Sequence, residues 1–106
     1  MTTPFAKRRR ALQAQMASAK IDSLLVTHPA NWYYLTGFTG ESGALVVSRK
    51  GTTLVTDGRF SVQARLEAPS IRVVLQKGAL FQNVGEFIRE ASGKRIGFDR
   101  TPETNP

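Results

Sequence analysis

The sequence contains no cysteine and only one histidine among its 106 residues. The absence of cysteine excludes disulfides and thiolate metal sites. A lone imidazole cannot build a histidine metal site, so His28 is interpreted as a loop or strand-end residue with local hydrogen bonds. No apolar run approaches the roughly 18 residues that indicate a membrane span. The basic N-terminus lacks the apolar core of a secretory signal, and these absences together fit a cytoplasmic protein.

Positive charge exceeds negative charge, with 15 basic and 8 acidic residues. Four of the basic residues form the run 7–10, and the other 11 are scattered along the chain. No interleaving of aromatic and basic residues, as used to stack single-stranded bases, is present. We therefore interpret the run as a solvated helix face and predict neither a nucleic-acid nor a membrane partner.

Apolar periodicity and turn residues predict an alternation of helices and strands over one domain, residues 1–106. Pro29 suits the first turn of a short helix that Gly37 ends, and Asp57 suits the cap of a helix beginning at residue 59. The predicted helices cover residues 8–20, 29–36, 59–68 and 80–91, and the predicted strands cover 23–27, 44–48, 52–56, 71–75 and 95–99. The tail 101–106 lacks a pattern. This order predicts an α/β fold, a mixed sheet of five or six strands with helices on both faces.

Glycine recurs at every third position in the segment that follows the short helix, at Gly37, Gly40 and Gly43. The dinucleotide fingerprint has another spacing and opens a helix, whereas this segment opens a strand. Two interpretations stay equally open: a tight connection that needs positive φ, or a loop that a ligand or a neighbouring chain approaches closely. Phe38 and Glu41 are expected to be exposed on it.

The second polar motif is Asp57-Gly58-Arg59, which reads as a turn before a helix. One aspartate and one arginine supply neither a nucleophile–base pair nor a metal cage, so a structural role is favoured over catalysis. Three consecutive aromatic residues, 32–34, point in different directions around a helix. At least one of them should therefore be exposed at an interface.

These motifs lie in the segments 31–47 (NWYYLTGFTGESGALVV) and 56–64 (TDGRFSVQA), with 21–29 (IDSLLVTHP) just upstream. They resemble the N-terminal domain of the creatinase, prolidase and aminopeptidase P family over residues 8–99. The resemblance implies a creatinase N-terminal-domain-like, ribonuclease H-like fold. It also implies mainly structural roles for the motif residues Asn31, Tyr34, Gly37, Asp57, Gly58 and Arg59. The family domain usually continues with another helix and strand, so we expect this chain to be clipped near its natural end.

The resemblance further implies a parent hydrolase, an X-Pro metallopeptidase whose C-terminal catalytic domain holds two divalent metal ions (Mn, Co or Zn). None of its ligand motifs matches this sequence, so the chain alone is expected to be inactive, with no catalytic residue, metal or cofactor of its own. Implied partners are its own catalytic domain, a second subunit of a homodimer or tetramer, and X-Pro peptides.

The loop corresponding to 38–42 reaches toward the neighbouring active site in several family members. That resemblance assigns Phe38, Thr39, Gly40, Glu41 and Ser42 to the wall of the substrate entrance, with Phe38 packing on an apolar substrate residue. The motifs resemble bacterial X-Pro aminopeptidases and dipeptidases more than creatinase. A creatinase-like amidinohydrolase parent and a free-standing interaction module are the alternatives.

Overall fold

The computed structural model describes residues 3–49, 51–76 and 95–99, which form three helices and five strands. The helix predicted over 80–91 and the tail 101–106 lie outside the described residues. In chain order the elements are α1 (Pro4–Ala19), β1 (Ser23–Val26), α2 (Pro29–Thr36), β2 (Ala44–Ser48), β3 (Thr52–Thr56), α3 (Ser61–Glu67), β4 (Arg72–Leu75) and β5 (Ile96–Phe98).

The five described strands form one mixed sheet in the order β4-β3-β2-β1-β5. β2 is antiparallel to both β1 and β3, whereas the β3–β4 and β1–β5 pairs are parallel. The predicted strands 44–48 and 52–56 are confirmed to the residue, and the other three are one or two residues shorter than predicted. The structure thus confirms the predicted α/β fold with a mixed sheet.

The first helix begins four residues before its predicted start at residue 8. Its N-cap is Thr3, whose side-chain oxygen accepts a hydrogen bond of 3.1 Å from the Ala6 amide. Pro4 then occupies the first turn, where its missing N–H is not needed by the helix. The prediction was wrong because it followed the apolar stripe alone and overlooked this capping signal.

One face of the sheet carries the core into which all three described helices pack. The strands contribute Val26, Leu45, Val47 and Leu54, and the helices contribute Met16, Trp32, Leu35 and Ala64. The opposite face also holds buried apolar side chains, Leu25, Val46 and Val55. Helices on that face stay a prediction, because the segment expected to supply one lies outside the described residues.

Two arginines of the basic run bind the C-terminal end of α2, of which Arg8 is half-exposed and Arg9 is buried. Arg8 Nη1 donates to the Tyr34 carbonyl at 3.0 Å, and Arg9 Nη1 donates to the Leu35 carbonyl at 2.8 Å. Arg9 is buried and also donates to Ser70 Oγ, and its burial lowers the pKa of its guanidinium. Cations at a helix C-terminus satisfy free carbonyls and oppose the negative end of the dipole. The interpretation of the whole run as a solvated face was therefore wrong for these residues.

The hydroxyl of Ser23 gives a test of polar burial in this sheet. Ser23 is wholly buried, and its Oγ has no hydrogen-bond partner among the described residues. We expect Ser23→Ala to leave the free energy of unfolding unchanged or to raise it by up to about 1 kcal/mol, because an unsatisfied polar group is removed. Urea denaturation of the purified chain measures this difference.

The matched control is Thr36→Val, which removes a buried hydroxyl that does have partners. Thr36 Oγ1 donates to the Trp32 carbonyl at 2.7 Å and accepts from the Phe38 amide at 3.1 Å. This variant should lose about 1–3 kcal/mol. A loss of that size for Ser23→Ala would instead mean that its hydroxyl has a partner.

Candidate functional site

The segment after α2 starts at a glycine that ends the helix, as predicted. Gly37 adopts the left-handed conformation with φ 83°, and its N–H donates to the Tyr33 carbonyl at 2.8 Å. A Cβ at this position would also lie 2.8 Å from the Phe5 ring. Both the backbone conformation and the close packing therefore require glycine here.

Phe38 is buried, which overturns the expectation that it is exposed. Its side chain has 0 % relative exposure, and its ring lies 6.3 Å, between centroids, from both Trp32 and Phe60. Its neighbours are an aromatic residue of α2 and the N-cap residue of α3. Such aromatic contacts in a core contribute to the stability of the fold. Phe38 therefore cannot pack on a substrate while this structure is maintained.

Gly40 rests directly on the Phe38 ring. A Cβ added to Gly40 would overlap three atoms of that ring, and the Gly40 carbonyl accepts a hydrogen bond of 3.1 Å from Trp32 Nε1. Gly40 does not have a positive φ, so close packing against the Phe38 ring, rather than either interpretation of the glycine spacing, accounts for this position.

The remaining residues of the loop face outward or meet strand β3. Thr39 and Glu41 are exposed, and the Thr39 amide and hydroxyl both donate to the Glu67 carboxylate, at 2.9–3.1 Å. The Ser42 carbonyl accepts a hydrogen bond of 2.6 Å from Thr56 Oγ1. The loop is therefore attached both to the end of α3 and to the end of β3.

The motif Asp57-Gly58-Arg59 begins where β3 ends, beside Ser42. Asp57 accepts hydrogen bonds from the Arg59 amide and from Arg59 Nη2, each at 2.9 Å. The following helix begins at Ser61, and its N-cap residue Phe60 makes no side-chain cap. The predicted role of Asp57 as the cap of a helix beginning at residue 59 was therefore wrong. Asp57 instead stabilises the turn that precedes α3.

Five polar residues thus share one edge of the domain, which we name the polar edge: Thr39, Glu41, Ser42, Asp57 and Arg59. The hydrogen bond from Arg59 is the largest influence lowering the pKa of Asp57, and Ser42 contributes a smaller one. Hydrogen bonding to Asp57 likewise raises the pKa of Arg59, and the charge of Glu41 adds to this effect. The polar edge thus presents ionised groups of both signs that can bind polar or charged groups of a ligand.

Asn31 and Tyr34 lie on α2 and line a different feature, a groove of about 430 Å³. Leu12, Leu24 and Asp99 also line it. The Asn31 amide donates to Asp99 Oδ2 at 3.0 Å. The Tyr34 ring is exposed. The sequence-predicted residues therefore fall into two groups rather than one site.

Asp99 ties the end of β5 to the start of α2. Its carboxylate accepts hydrogen bonds from the Thr27 amide and hydroxyl, the His28 amide and Asn31, all at 3.0–3.1 Å. Burial alone would raise the pKa of Asp99, but these four donors outweigh it and hold the pKa below its usual value. Asp99 thus fixes the strand–helix junction, which explains the motif residue Asn31.

Sequence reasoning missed the roles of Glu67, Asp99 and Arg9. Each binds a group that lies 26 or more residues away along the chain. The only available signal was a polar residue at the end of an apolar strand, in the case of Asp99. No group of three or more histidine, cysteine, aspartate or glutamate side chains that could hold a metal ion occurs within 3–49, 51–76 and 95–99. Within these ranges no helix is both long and apolar enough to cross a membrane.

The mixed sheet with its packed helices places the chain in the α/β class, and comparisons with known proteins narrow this further. The family described as Creatinase/Prolidase N-terminal domain matches residues 8–103. The chain therefore belongs to this family, as the sequence motifs predicted.

Three individual proteins illustrate the relationship. The uncharacterized peptidase YqhT of Bacillus subtilis (strain 168) is 32% identical over 84 residues, which cover 79% of this chain and 24% of that protein. The N-terminal domain of the cytoplasmic peptidase PepQ from Mycobacterium tuberculosis H37Rv superposes with a TM-score of 0.80 at 35% identity, covering 88% of this chain and 72% of that one. An Xaa-Pro dipeptidase from Bacillus anthracis gives a TM-score of 0.85 at 25% identity, covering 96% and 28%. The chain thus spans about a quarter of YqhT and of this dipeptidase.

Removal of the Phe38 ring should reduce stability. We expect Phe38→Ala to lower the free energy of unfolding by about 3–5 kcal/mol, because a fully buried aromatic side chain is lost. Phe38→Leu, which retains part of the volume, should lose roughly 1–2 kcal/mol and keeps the test informative if the alanine variant does not fold.

The control is Tyr33→Ala, since Tyr33 is an aromatic residue of the neighbouring helix that is 49% exposed. It should lose about 1 kcal/mol or less, mainly its edge contact with Phe5. Equal losses for Phe38→Ala and Tyr33→Ala in urea denaturation would contradict the burial of Phe38.

Acidification should weaken the junction that Asp99 holds. A carboxyl group whose folded pKa is lowered contributes stability above its unfolded pKa, and this contribution is lost as the pH falls through the folded value. The free energy of unfolding should therefore decline below about pH 4, the usual range of aspartate. Asp99→Asn should lose about 1–3 kcal/mol at pH 7 and show a flatter acid decline.

Urea denaturation between pH 7 and pH 2.5 measures this dependence. High salt screens the exposed Asp57–Arg59 ion pair, and comparison with Asp99→Asn separates the contribution of Asp99 from that of Glu67, whose pKa is also lowered. A variant with the same acid decline as the unmodified chain would show that Asp99 does not hold the junction.

Proposed function

We propose that this chain acts as the N-terminal domain of an X-Pro peptidase and forms part of its substrate entrance. The observation that carries the proposal is the polar edge, where the loop 38–42 meets the turn 57–59. Peptidase relatives of this family, including a protein named as an Xaa-Pro dipeptidase, support the substrate class.

The loop suits such a role because its inner residues are fixed while its outer residues are exposed. Phe38 is held by the core and Gly40 by Trp32, so the backbone on either side of Thr39 is restrained. A restrained binding residue loses less conformational freedom when a ligand binds. We therefore assign the contact between the loop and the substrate to Glu41 rather than to Phe38. The Glu41 carboxylate can accept a hydrogen bond from the free amine of a peptide.

The chemical step is assigned to a C-terminal catalytic domain of the parent. By resemblance, that domain holds two divalent metal ions (Mn, Co or Zn) that activate water. The residues described in this chain would orient the peptide and restrict its access, without transferring protons. The description of PepQ as a cytoplasmic peptidase supports a cytoplasmic location for the parent.

A free-standing interaction module is the second candidate, favoured by exposed apolar side chains on α3. Val62 and Leu66 lie one helical turn apart and are 65% and 77% exposed. In a peptidase this pair would contact the catalytic domain or a second subunit of a homodimer or tetramer. The reading frame separates the two candidates: a downstream segment with two Asp, one His and two Glu ligands supports the peptidase, and a stop codon supports the module.

The role of Glu41 is tested by Glu41→Gln in the longer polypeptide that carries this domain. We expect KM for an X-Pro peptide to rise about tenfold with kcat nearly unchanged, because a charge-assisted contact to the substrate amine is lost while the chemistry is not touched. Steady-state kinetics at constant ionic strength measures both constants. The 106-residue chain alone should cleave none of the peptide.

Asp22→Asn provides a control with the same change of charge. Asp22 precedes β1, at the opposite end of the strands from the polar edge, where it pairs with Arg49. Its kinetics should match those of the unmodified enzyme. A large fall in kcat at constant KM for Glu41→Gln would mean that the loop takes part in catalysis, and unchanged kinetics would leave it as a structural turn.

A further inference from the structure

We propose that Glu67, which lies outside both sequence motifs, is a positioning residue that clamps the loop 38–42 onto α3 and so sets the orientation of Glu41. The clamp consists of Glu67, Gln63 and Thr39. Its consequence for substrate binding rests on the proposed function, whereas the clamp itself can be tested in this chain alone.

The clamp concentrates several hydrogen bonds on one loop residue. Glu67 Oε1 accepts from the Thr39 amide at 2.9 Å, and Glu67 Oε2 accepts from the Thr39 hydroxyl at 2.9 Å. Gln63, one helical turn earlier, donates to Thr39 Oγ1 at 2.6 Å and to Glu67 Oε1 at 3.3 Å. Thr39 is therefore held through both its backbone and its side chain.

The clamp completes a continuous set of restraints along the loop. Phe38 is fixed by burial and Gly40 by its hydrogen bond from Trp32, and Thr39 between them is fixed by the clamp. Glu41 follows immediately, and its side chain is exposed. Since three consecutive residues before it are restrained, the direction in which the Glu41 side chain leaves the backbone is restrained as well.

The position of Glu67 at the end of α3 is unfavourable for a carboxylate, and its hydrogen bonds with Thr39 offset this cost. Glu67 is the last residue of α3, where the negative end of the helix dipole disfavours a carboxylate. Burial would raise its pKa, but the hydrogen bonds from Thr39 and Gln63 outweigh this effect and lower it. Glu67 is thus an ionised acceptor at neutral pH, and the loop supplies the donors that stabilise it there.

Amide hydrogen exchange, measured by NMR on this chain, tests the clamp directly. We expect Glu67→Ala to accelerate exchange of the Thr39 amide by about tenfold or more, because its charged acceptor is lost. Glu67→Gln should give a smaller acceleration, since the amide oxygen can still accept. Exchange of the Leu54 amide in the inner strand β3 should not change, which excludes general destabilisation.

Two further variants make this measurement specific. Leu66→Ala changes the neighbouring residue on α3, which is 77% exposed, and should leave exchange of the Thr39 amide unaltered. Thr39→Val removes the hydroxyl that donates to the same carboxylate. In the double variant, the effects of Thr39→Val and Glu67→Ala on exchange of the Gly40 and Glu41 amides should not be additive, because each substitution disrupts the same clamp.

Kinetics of the longer polypeptide then separate the clamp from the proposed function. If the clamp positions Glu41 for substrate, Glu67→Ala should raise KM for an X-Pro peptide several-fold with little change in kcat, in the same direction as Glu41→Gln. Unchanged exchange at Thr39 in Glu67→Ala would overturn the clamp whatever the kinetics. Accelerated exchange with unchanged KM would confirm the clamp and reject its role in positioning Glu41, whereas the binding role of Glu41 itself is decided by Glu41→Gln.

Discussion

The packing of the Phe38 side chain between α2 and α3 is the constraint on which both the core and the polar edge depend. Its ring contacts Trp32 and Phe60 and supports Gly40 from below. A side chain of this size cannot leave the core without opening a cavity, and cavities of this kind are strongly destabilising. The course of the loop is therefore set by hydrophobic burial, and its polar contacts refine a path that is already fixed.

Polar side chains complete the structure where helices and strands leave backbone groups without partners. Arg8 and Arg9 supply donors to carbonyls at the end of α2, while Asp99 accepts amides at its start. Glu67 likewise accepts a hydrogen bond from the backbone amide of Thr39 in the loop. In each case the sign of the charge matches the backbone group, a donor for a carbonyl and a carboxylate for an N–H. The charged residues of this chain thus contribute to its fold as well as to its surface.

The sequence predicted the elements whose signals are local and failed where the partners are distant. The strands Ala44–Ser48 and Thr52–Thr56 are apolar or β-branched runs around a short turn, so their bounds could be found from neighbouring residues alone. The family motif likewise needed only contiguous residues. Phe38 was wrongly predicted to be exposed, because a single aromatic residue flanked by glycine and threonine does not indicate which side chains will pack against it. The bond from Thr39 to Glu67 spans 28 residues, and no periodicity encodes such a pairing.

The burial of residues 38–41 alternates strictly, with Phe38 and Gly40 buried and Thr39 and Glu41 exposed. This is the period of two that an extended chain shows, although the segment forms no strand in the sheet. The alternation links the stability of the core to the orientation of Glu41. Because Phe38 and Gly40 point into the core, the Glu41 side chain points outward. A shift of one residue would move Thr39 and Glu41 into the core and expose the aromatic ring, as a register slip does in a sheet. The length of the connection between Gly37 and β2 is therefore constrained as tightly as its composition.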